Sequence, residues 1–196
     1  MKRTIIAFLA LCGVAVAASY EVAPAPGTQL ALTVEKTGFY RGKKHLFLFE
    51  NYRGSLAFDP HRPEGSKIEL VIDSRSVVCK DDWVSSGDLK KIMETTFEDM
   101  LAVKQFPSLT FVSASIRPLG GNQFEVQGTL TIRNRPKPVT VVVQLDAGDP
   151  AQLRLRGSAR ISLKDYSLKP PSALLGAIGT KDEMSLAFEI AASPKD

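Results

Sequence analysis

Cysteine and histidine are scarce in this 196-residue chain, with two of each, and neither sign of charge dominates: 25 basic against 21 acidic residues leave a net charge of +4. So few soft donors, at no regular spacing, argue against a zinc framework. A near-balanced charge argues against a broad nucleic-acid footprint. Beyond the N-terminus, no apolar run approaches the roughly 20 residues that a spanning helix needs. Gly-x-Ser-x-Gly, phosphate-loop and Gly-x-Gly-x-x-Gly strings are missing. The carboxylate pairs Asp81/Asp82 and Glu98/Asp99 are chain neighbours whose side chains diverge, which makes them poor acid–base dyads. No catalytic residue, no metal and no cofactor is expected. What remains, 44% hydrophobic and 23% charged residues, is the composition of one packed domain.

The first residues read Met1-Lys2-Arg3, an apolar stretch, and Ala15-Val16-Ala17 before Ala18-Ser19-Tyr20. A basic start, a short apolar core and a small-x-small site are the parts of a secretory signal peptide. The expected division is a leader over 1–18, cleaved at about 17–19, and one domain over 20–196. Cleavage would remove Lys2 and Arg3, lowering the net charge from +4 to +2. It would also remove Cys12, which follows Leu11 rather than the small residue that lipid attachment prefers. The remaining Cys79 cannot form an internal disulfide, and after Val77-Val78 it reads as a buried, inert thiol rather than a reactive one.

From Gln29 onward the apolar residues alternate with polar ones, the pattern of half-buried antiparallel strands. Leu153, Leu155, Gly157, Ala159, Ile161 and Leu163 alternate with arginines and serines. Phe124, Val126, Gly128, Leu130 and Ile132 do the same, as do Val139, Val141, Val143 and Leu145, and Met184, Leu186, Phe188 and Ile190. About eight strands are predicted: Gln29–Thr37, Lys44–Asp59 with a break near Tyr52–Gly54, Lys67–Val78, Leu109–Pro118, Gln123–Asn134, Val139–Ala147, Gln152–Tyr166 and Glu183–Ala192. Turn chemistry separates them at Gly120-Gly121-Asn122, Asn134-Arg135-Pro136 and Gly148-Asp149-Pro150. One segment, Ser85–Val103, switches period. Leu89, Ile92, Met93, Phe97, Met100 and Leu101 fall at helical spacing behind Ser85, Ser86 or Asp88 as cap.

Strands with one apolar face must cover it, and closure into a barrel also removes exposed edges. The expected fold is therefore all-β: an eight-stranded antiparallel barrel with one inserted amphipathic helix. Eight strands enclose room for packed side chains or for one ligand. The small inward residues Gly128, Gly157 and Ala159 either let the sheet coil tightly or leave room for a guest. Strands of about ten residues are roughly 33 Å long, enough for an extended lipid tail.

Three stretches carry a family resemblance. Phe106-Pro107-Ser108-Leu109-Thr110-Phe111 matches a Pro-x-aliphatic-Thr-Phe signature after a helical segment. Val126-Gln127-Gly128-Thr129-Leu130-Thr131-Ile132, followed by Pro138-Val139-Thr140-Val141, matches a Gly-x-Leu-Thr-Ile strand with a Lys-Pro-Val-Thr start to the next. Gly54-x-Leu56-x-Phe58-Asp59, with Ser76-Val77, is a weaker third. In their order along the chain the stretches resemble the YceI family of lipocalin-like, polyisoprenoid-binding periplasmic proteins. The resemblance implies a periplasmic barrel that holds a polyisoprenoid, an isoprenoid quinone-like molecule or a similar long amphiphile, with no shared catalytic set. The chain departs from the family where many members carry Arg-Asp-x-His-Leu: here the region reads Lys80-Asp81-Asp82-Trp83-Val84. The Phe39–Phe49 and Pro170–Gly179 segments are also atypical.

The cavity candidates are Phe111, Phe124, Val126, Gly128, Leu130, Ile132, Val141, Val143, Leu155, Gly157, Ala159, Ile161, Leu186 and Phe188. Trp83, Met93, Phe97 and Met100 are the candidates at the helix and mouth. The basic turn Arg133-Asn134-Arg135-Pro136-Lys137, with Lys43-Lys44, reads as a solvated turn or as a contact to an anionic head group or membrane surface. The expected function is that of an exported, non-enzymatic carrier of one long lipid. Two alternatives stand beside it: a filled barrel acting as an interaction module, and a lipid-modifying enzyme with Asp81, Asp82 or His61 at the mouth.

Overall fold

The computed structural model describes residues 17–149 and 151–195. The expected leader therefore lies, up to residue 16, outside the described residues, as does Pro150 of the turn after Gly148. Eleven strand segments follow one another: β1 (Ala18–Ala23), β2 (Gln29–Gly38), β3 (Lys44–Phe49), β4 (Tyr52–Phe58), β5 (Lys67–Asp73), β6 (Val77–Cys79), β7 (Ser108–Gly120), β8 (Gln123–Ile132), β9 (Arg135–Asp149), β10 (Gln152–Ser162) and β11 (Ile178–Pro194). All pairings are antiparallel. Among the described residues, β1-β4-β5-β7-β8-β9-β10-β11 form a ring that the β11–β1 pairing closes. The result is the eight-stranded barrel that the alternation predicts.

The surplus of segments comes from three broken staves. β1 and β2 both run along β11, with Ala23 opposite Ala191 and Gln29 opposite Glu189. β4 pairs with β1 and β3 with β2, so Glu50-Asn51 interrupts one long strand. β5 and β6 are likewise parted by a 3-10 turn, Ser74–Ser76, with Asp73 accepting from the Arg75 N–H. Breaks of this kind bend a strand around a small barrel. The predicted strand list thus lacked β1 and ended short of residues 178–182 of β11. That end carries a bulge: Thr180 lies opposite Lys36 but Met184 opposite Val34, so strict alternation fails there.

Core side chains fill the inner face: Val126, Leu130 and Ile132 of β8, Val139, Val141, Val143 and Leu145 of β9, and Leu153, Leu155 and Ile161 of β10 are buried. Their chain neighbours Gln127, Thr140, Arg156 and Arg160 face water. The inserted helix α1 (Ser86–Thr95) starts at Ser85, whose Oγ accepts from the Asp88 N–H at 3.1 Å. The Ser85 hydroxyl donates to Asp88 Oδ2 at 2.7 Å, a reciprocal cap. α1 runs into a π-helical turn, Thr96–Met100. Leu89, Ile92, Met93, Phe97, Met100 and Leu101 pack half-buried against the core, so this segment lies across one end of the barrel.

Candidate functional site

The barrel encloses a cavity of about 360 Å³, within the range of small-molecule sites. Its wall is aliphatic and aromatic, with contributions from every stave: Leu30 and Leu32 of β2, Leu56 of β4, Ile68 of β5, Ile116 of β7, Val126 of β8, Val143 of β9, Leu155 of β10 and Ile190 of β11. The polar lining residues are Lys36, His45, Lys91, Thr95, Thr96, Ser172 and Thr180. All belong to the end where α1, the start of β3 and the segment before β11 meet. Lys91, Ser172 and Ala173 are both lining and exposed, which puts the opening there. The cavity is thus an apolar shaft with one polar mouth.

Phe111, Phe124, Val126, Leu130, Ile132, Val141, Val143, Leu155, Ile161, Leu186, Phe188 and Met100 line this shaft. Gly128, Gly157 and Ala159 do not. The inward space at the two glycines is already filled: a Cβ on Gly157 would stand 2.5 Å from Phe188 Cζ, and one on Gly128 would overlap the Phe111 ring. The rings of Phe111 and Phe188 therefore form the wall, and these glycines make room for rings rather than for a guest. Met93 and Phe97 pack beneath the helix against the core without reaching the cavity.

Trp83 is also outside the shaft, where it braces the mouth. Its indole N–H donates to the Lys44 carbonyl at 2.9 Å. Its ring stacks on His45, with centroids 5.2 Å apart, and meets Tyr40 at 5.7 Å. The ammonium of Lys43 sits over its outer side. Beneath it, His45 Nδ1 is hydrogen-bonded to Asp81 Oδ2, and Asp81 Oδ1 accepts from the Leu46 N–H at 2.9 Å. The β3–β6 pairing sets Phe47 opposite Cys79, which brings the Cys79 sulfur within 4.8 Å of the His45 and Asp81 donors. Burial pushes the Cys79 thiol up to about 12, with the Asp81 carboxylate acting in the same direction and the Asp81 N–H opposing it. The trio has the donor types of a metal site, with both Asp81 oxygens engaged by His45 and the Leu46 N–H.

The sequence alone does not tie Cys79 to either histidine, because pairing across 34 residues leaves no spacing signal. Sequence reasoning also missed Lys36, the next inward residue after Val34 on β2. The Lys36 ammonium reaches Thr180 Oγ1 at 3.5 Å, and burial lowers its pKa. The residues of the enzyme alternative are not brought together at the mouth. His61 lies in the β4–β5 connection, at the far end of that stave from the mouth, where its N–H donates to Asp59. Asp82 is exposed, and Asp81 is locked to His45. Of the basic turn, Arg133 is engaged internally: it donates to the Asp99 carbonyl at 2.9 Å and lies over the Phe106 ring.

Comparison with known proteins agrees with this architecture. A family model described as a YceI-like domain matches residues 20–192. A UPF0312 protein of Pseudomonas putida is 28% identical over 130 residues, 64% of this chain and 64% of the relative; the match thus spans just under two thirds of that relative's length. A UPF0312 protein of Pseudomonas aeruginosa is 29% identical over 150 residues, 72% of this chain and 71% of the relative. Among solved structures, BcnA of Burkholderia cenocepacia superposes with a TM-score of 0.64 at 22% identity, over 84% of this chain and 96% of that one. A polyisoprenoid-binding domain from Saccharophagus degradans, implicated in plant cell wall breakdown, gives 0.62 at 13% identity, over 89% and 98%. At these identities the structural likeness concerns the fold.

Proposed function

This chain belongs to the YceI-like domain family, and from that premise we propose that its barrel binds the chain of one long amphiphilic lipid, a polyisoprenoid or isoprenoid quinone-like molecule, with the head group at the polar mouth. The observation that carries the reading is the division of the cavity: an apolar shaft lined from every stave, with all its polar lining residues at one end. Each methylene that enters contributes about 0.8 kcal/mol, less the cost of ordering a flexible chain. Selection then rests on shaft length and on what the mouth offers a head group. The name of the Saccharophagus neighbour points to the same ligand class. The leader expected over 1–18 supports export to the periplasm, where such a carrier would move or sequester a lipid between membranes.

We read the protein as a binder rather than an enzyme because His61 stands at the far end of its stave from the mouth, Asp82 is exposed and outside the cavity lining, and Asp81 is committed to His45 and Leu46. Native mass spectrometry of the exported protein, followed by organic extraction, tests the proposal. A discrete added mass that extracts as an isoprenoid or another long-chain lipid is expected. A bare mass that stays bare after incubation with such lipids would turn the reading toward a ligand-free interaction module.

A further inference from the structure

The mouth of the barrel carries an apolar tip that the core does not explain. Phe39 at the β2–β3 hairpin is 81% exposed, Leu174 is 68% exposed, and Leu175 is fully exposed. The two segments are tied together: the Phe39 N–H donates to the Ala177 carbonyl at 3.0 Å, and Gly38, with φ at +67°, admits that carbonyl where a Cβ would clash. Leu174 and Leu175 both sit in the left-handed region, with φ at +49° and +55°, a conformation that leucine adopts only at a cost. The Ala173–Ile178 bridge closes this strained loop. Trp83, held between His45, Tyr40 and Lys43, braces the hairpin beside it. A rigid scaffold thus holds three large apolar side chains out in water.

Within the two segments that form the tip the charge has one sign. Segments 36–44 and 166–180 contain five basic residues, Lys36, Arg41, Lys43, Lys44 and Lys169, and no acidic residue. Arg41, Lys43, Lys44 and Lys169 are exposed. Of the flanking acids, Glu35 pairs with Lys181, and Asp182 accepts from the Ser162 hydroxyl and the Lys164 N–H, while Asp82 and Asp165 are exposed beyond the two segments. Apolar side chains inside a basic collar match the interfacial layer of an anionic bilayer, where the apolar tips enter the head-group boundary and the cations meet phosphates. The tip also borders Ser172 and Ala173, which line the cavity opening.

We propose that Phe39, Leu174 and Leu175 form a membrane-docking prow that sets the cavity mouth against an anionic lipid surface. The proposal builds on the lipid-binding reading, since docking there would let a lipid pass between bilayer and shaft without crossing water.

The test is flotation of the mature protein with phosphatidylethanolamine–phosphatidylglycerol vesicles, using the triple variant Phe39→Ser, Leu174→Asn, Leu175→Asn as comparison. Asparagine tolerates the left-handed region, and none of the three residues lines the cavity, so fold and bound lipid should persist. The wild type should float with the vesicles at ~0.1 M salt and less so at ~1 M, and the variant should partition about a hundredfold more weakly. A wild type that stays off the vesicles at low salt, or a variant that binds as well as the wild type, would overturn the proposal. So would apolar-tip-dependent self-association without vesicle binding, which would assign the tip to a second copy of the chain. Extraction of the same samples keeps the two readings apart: lipid retained without docking sinks only the prow, whereas docking with an empty shaft sinks only the carrier.

Discussion

The ring of Phe188 lies over the backbone of Gly157, its register partner across β10 and β11, so closely that a Cβ on Gly157 would stand 2.5 Å from Cζ of the ring and 2.8 Å from the Val142 carbonyl. Alanine normally stabilises a strand over glycine by roughly 0.5–1 kcal/mol through chain entropy. Here the overlap includes a backbone atom that cannot swing away, and overpacking of this kind costs about 1–3 kcal/mol. Gly157→Ala should therefore destabilise the protein. Gly65, with nothing within 4 Å of its virtual Cβ, is the control: Gly65→Ala should be neutral or stabilising. Thermal unfolding of the two variants decides the matter, and equal shifts of the same sign would contradict it.

The Asp81 side chain is almost completely buried, with one oxygen on His45 and the other on the Leu46 N–H. Asp81→Ala would leave a buried N–H and an imidazole unpaired, which should cost about 2–4 kcal/mol. Asp81→Asn keeps the acceptor for Leu46 and a group facing His45, so it should recover much of that loss. Denaturant midpoints for both variants test the ordering. If asparagine proved as damaging as alanine, the charge rather than the hydrogen bonds would be what holds the β3–β6 corner.

This corner also shows where the sequence stopped being informative. Alternation in β8, β9 and β10 reveals the barrel because every second residue of these strands faces one continuous interior. His45, Cys79 and Asp81 leave no such trace, since the β3–β6 pairing that joins them is only three residues long. β1 escaped notice because Ala18–Ala23 abuts the leader and alternates weakly. The inward glycines were legible as inward, but whether their space was open depended on Phe111 and Phe188 from other strands. The left-handed leucines 174 and 175 could not be read from residue type at all, because leucine is a poor signal for positive φ.

Alkali should find the weak points of the core. Burial pushes the Cys79 thiol from its ordinary 9.0 up to about 12, and burial, with Asp165 adding to it, pushes Tyr166 from 10.0 up to about 12. Raised values mean that the folded state holds both protons while the unfolded chain releases them. Stability is then fully present below pH 9 and falls as pH rises from about 9 toward 12. Cys79→Ala should flatten the early part of that fall and Tyr166→Phe the later part. The phenylalanine variant should cost little near neutral pH, since the Tyr166 hydroxyl meets no hydrogen-bond partner among the described residues. Unfolding midpoints across this range are the measurement, and identical alkaline slopes in wild type and both variants would refute the assignment.

Leu130 is buried and lines the shaft, whereas Val142 on the adjacent strand points outward and is exposed. Leu130→Trp should fill the shaft and remove co-extracted lipid. Val142→Trp adds similar bulk to the outside and should leave the lipid in place. Comparison of extracted lipid per mole of protein separates the two faces of the barrel wall. Equal retention in both would mean that the ligand lies elsewhere than between these strands.

On the proposed lipid-binding reading, Lys36 should set the head-group preference of the mouth. Its ammonium is partly buried, and the contact it makes, with Thr180 Oγ1 at 3.5 Å, is too long to compensate for lost hydration. Burial accordingly lowers its pKa. An anion placed beside it would restore the missing partner, as charge-assisted hydrogen bonds do, and a neutral ring or hydroxyl would do so only weakly. Amphiphiles of equal chain length should therefore bind in the order phosphate-headed before alcohol-headed, by roughly tenfold. Lys36→Met should erase that preference while leaving the alcohol-headed affinity nearly unchanged, because the methylenes of the chain, not the head, supply most of the binding free energy. Competition between the two lipid classes for wild type and variant measures this directly. A preference that survives the substitution would move head-group recognition to Lys91 and the threonines at the end of α1.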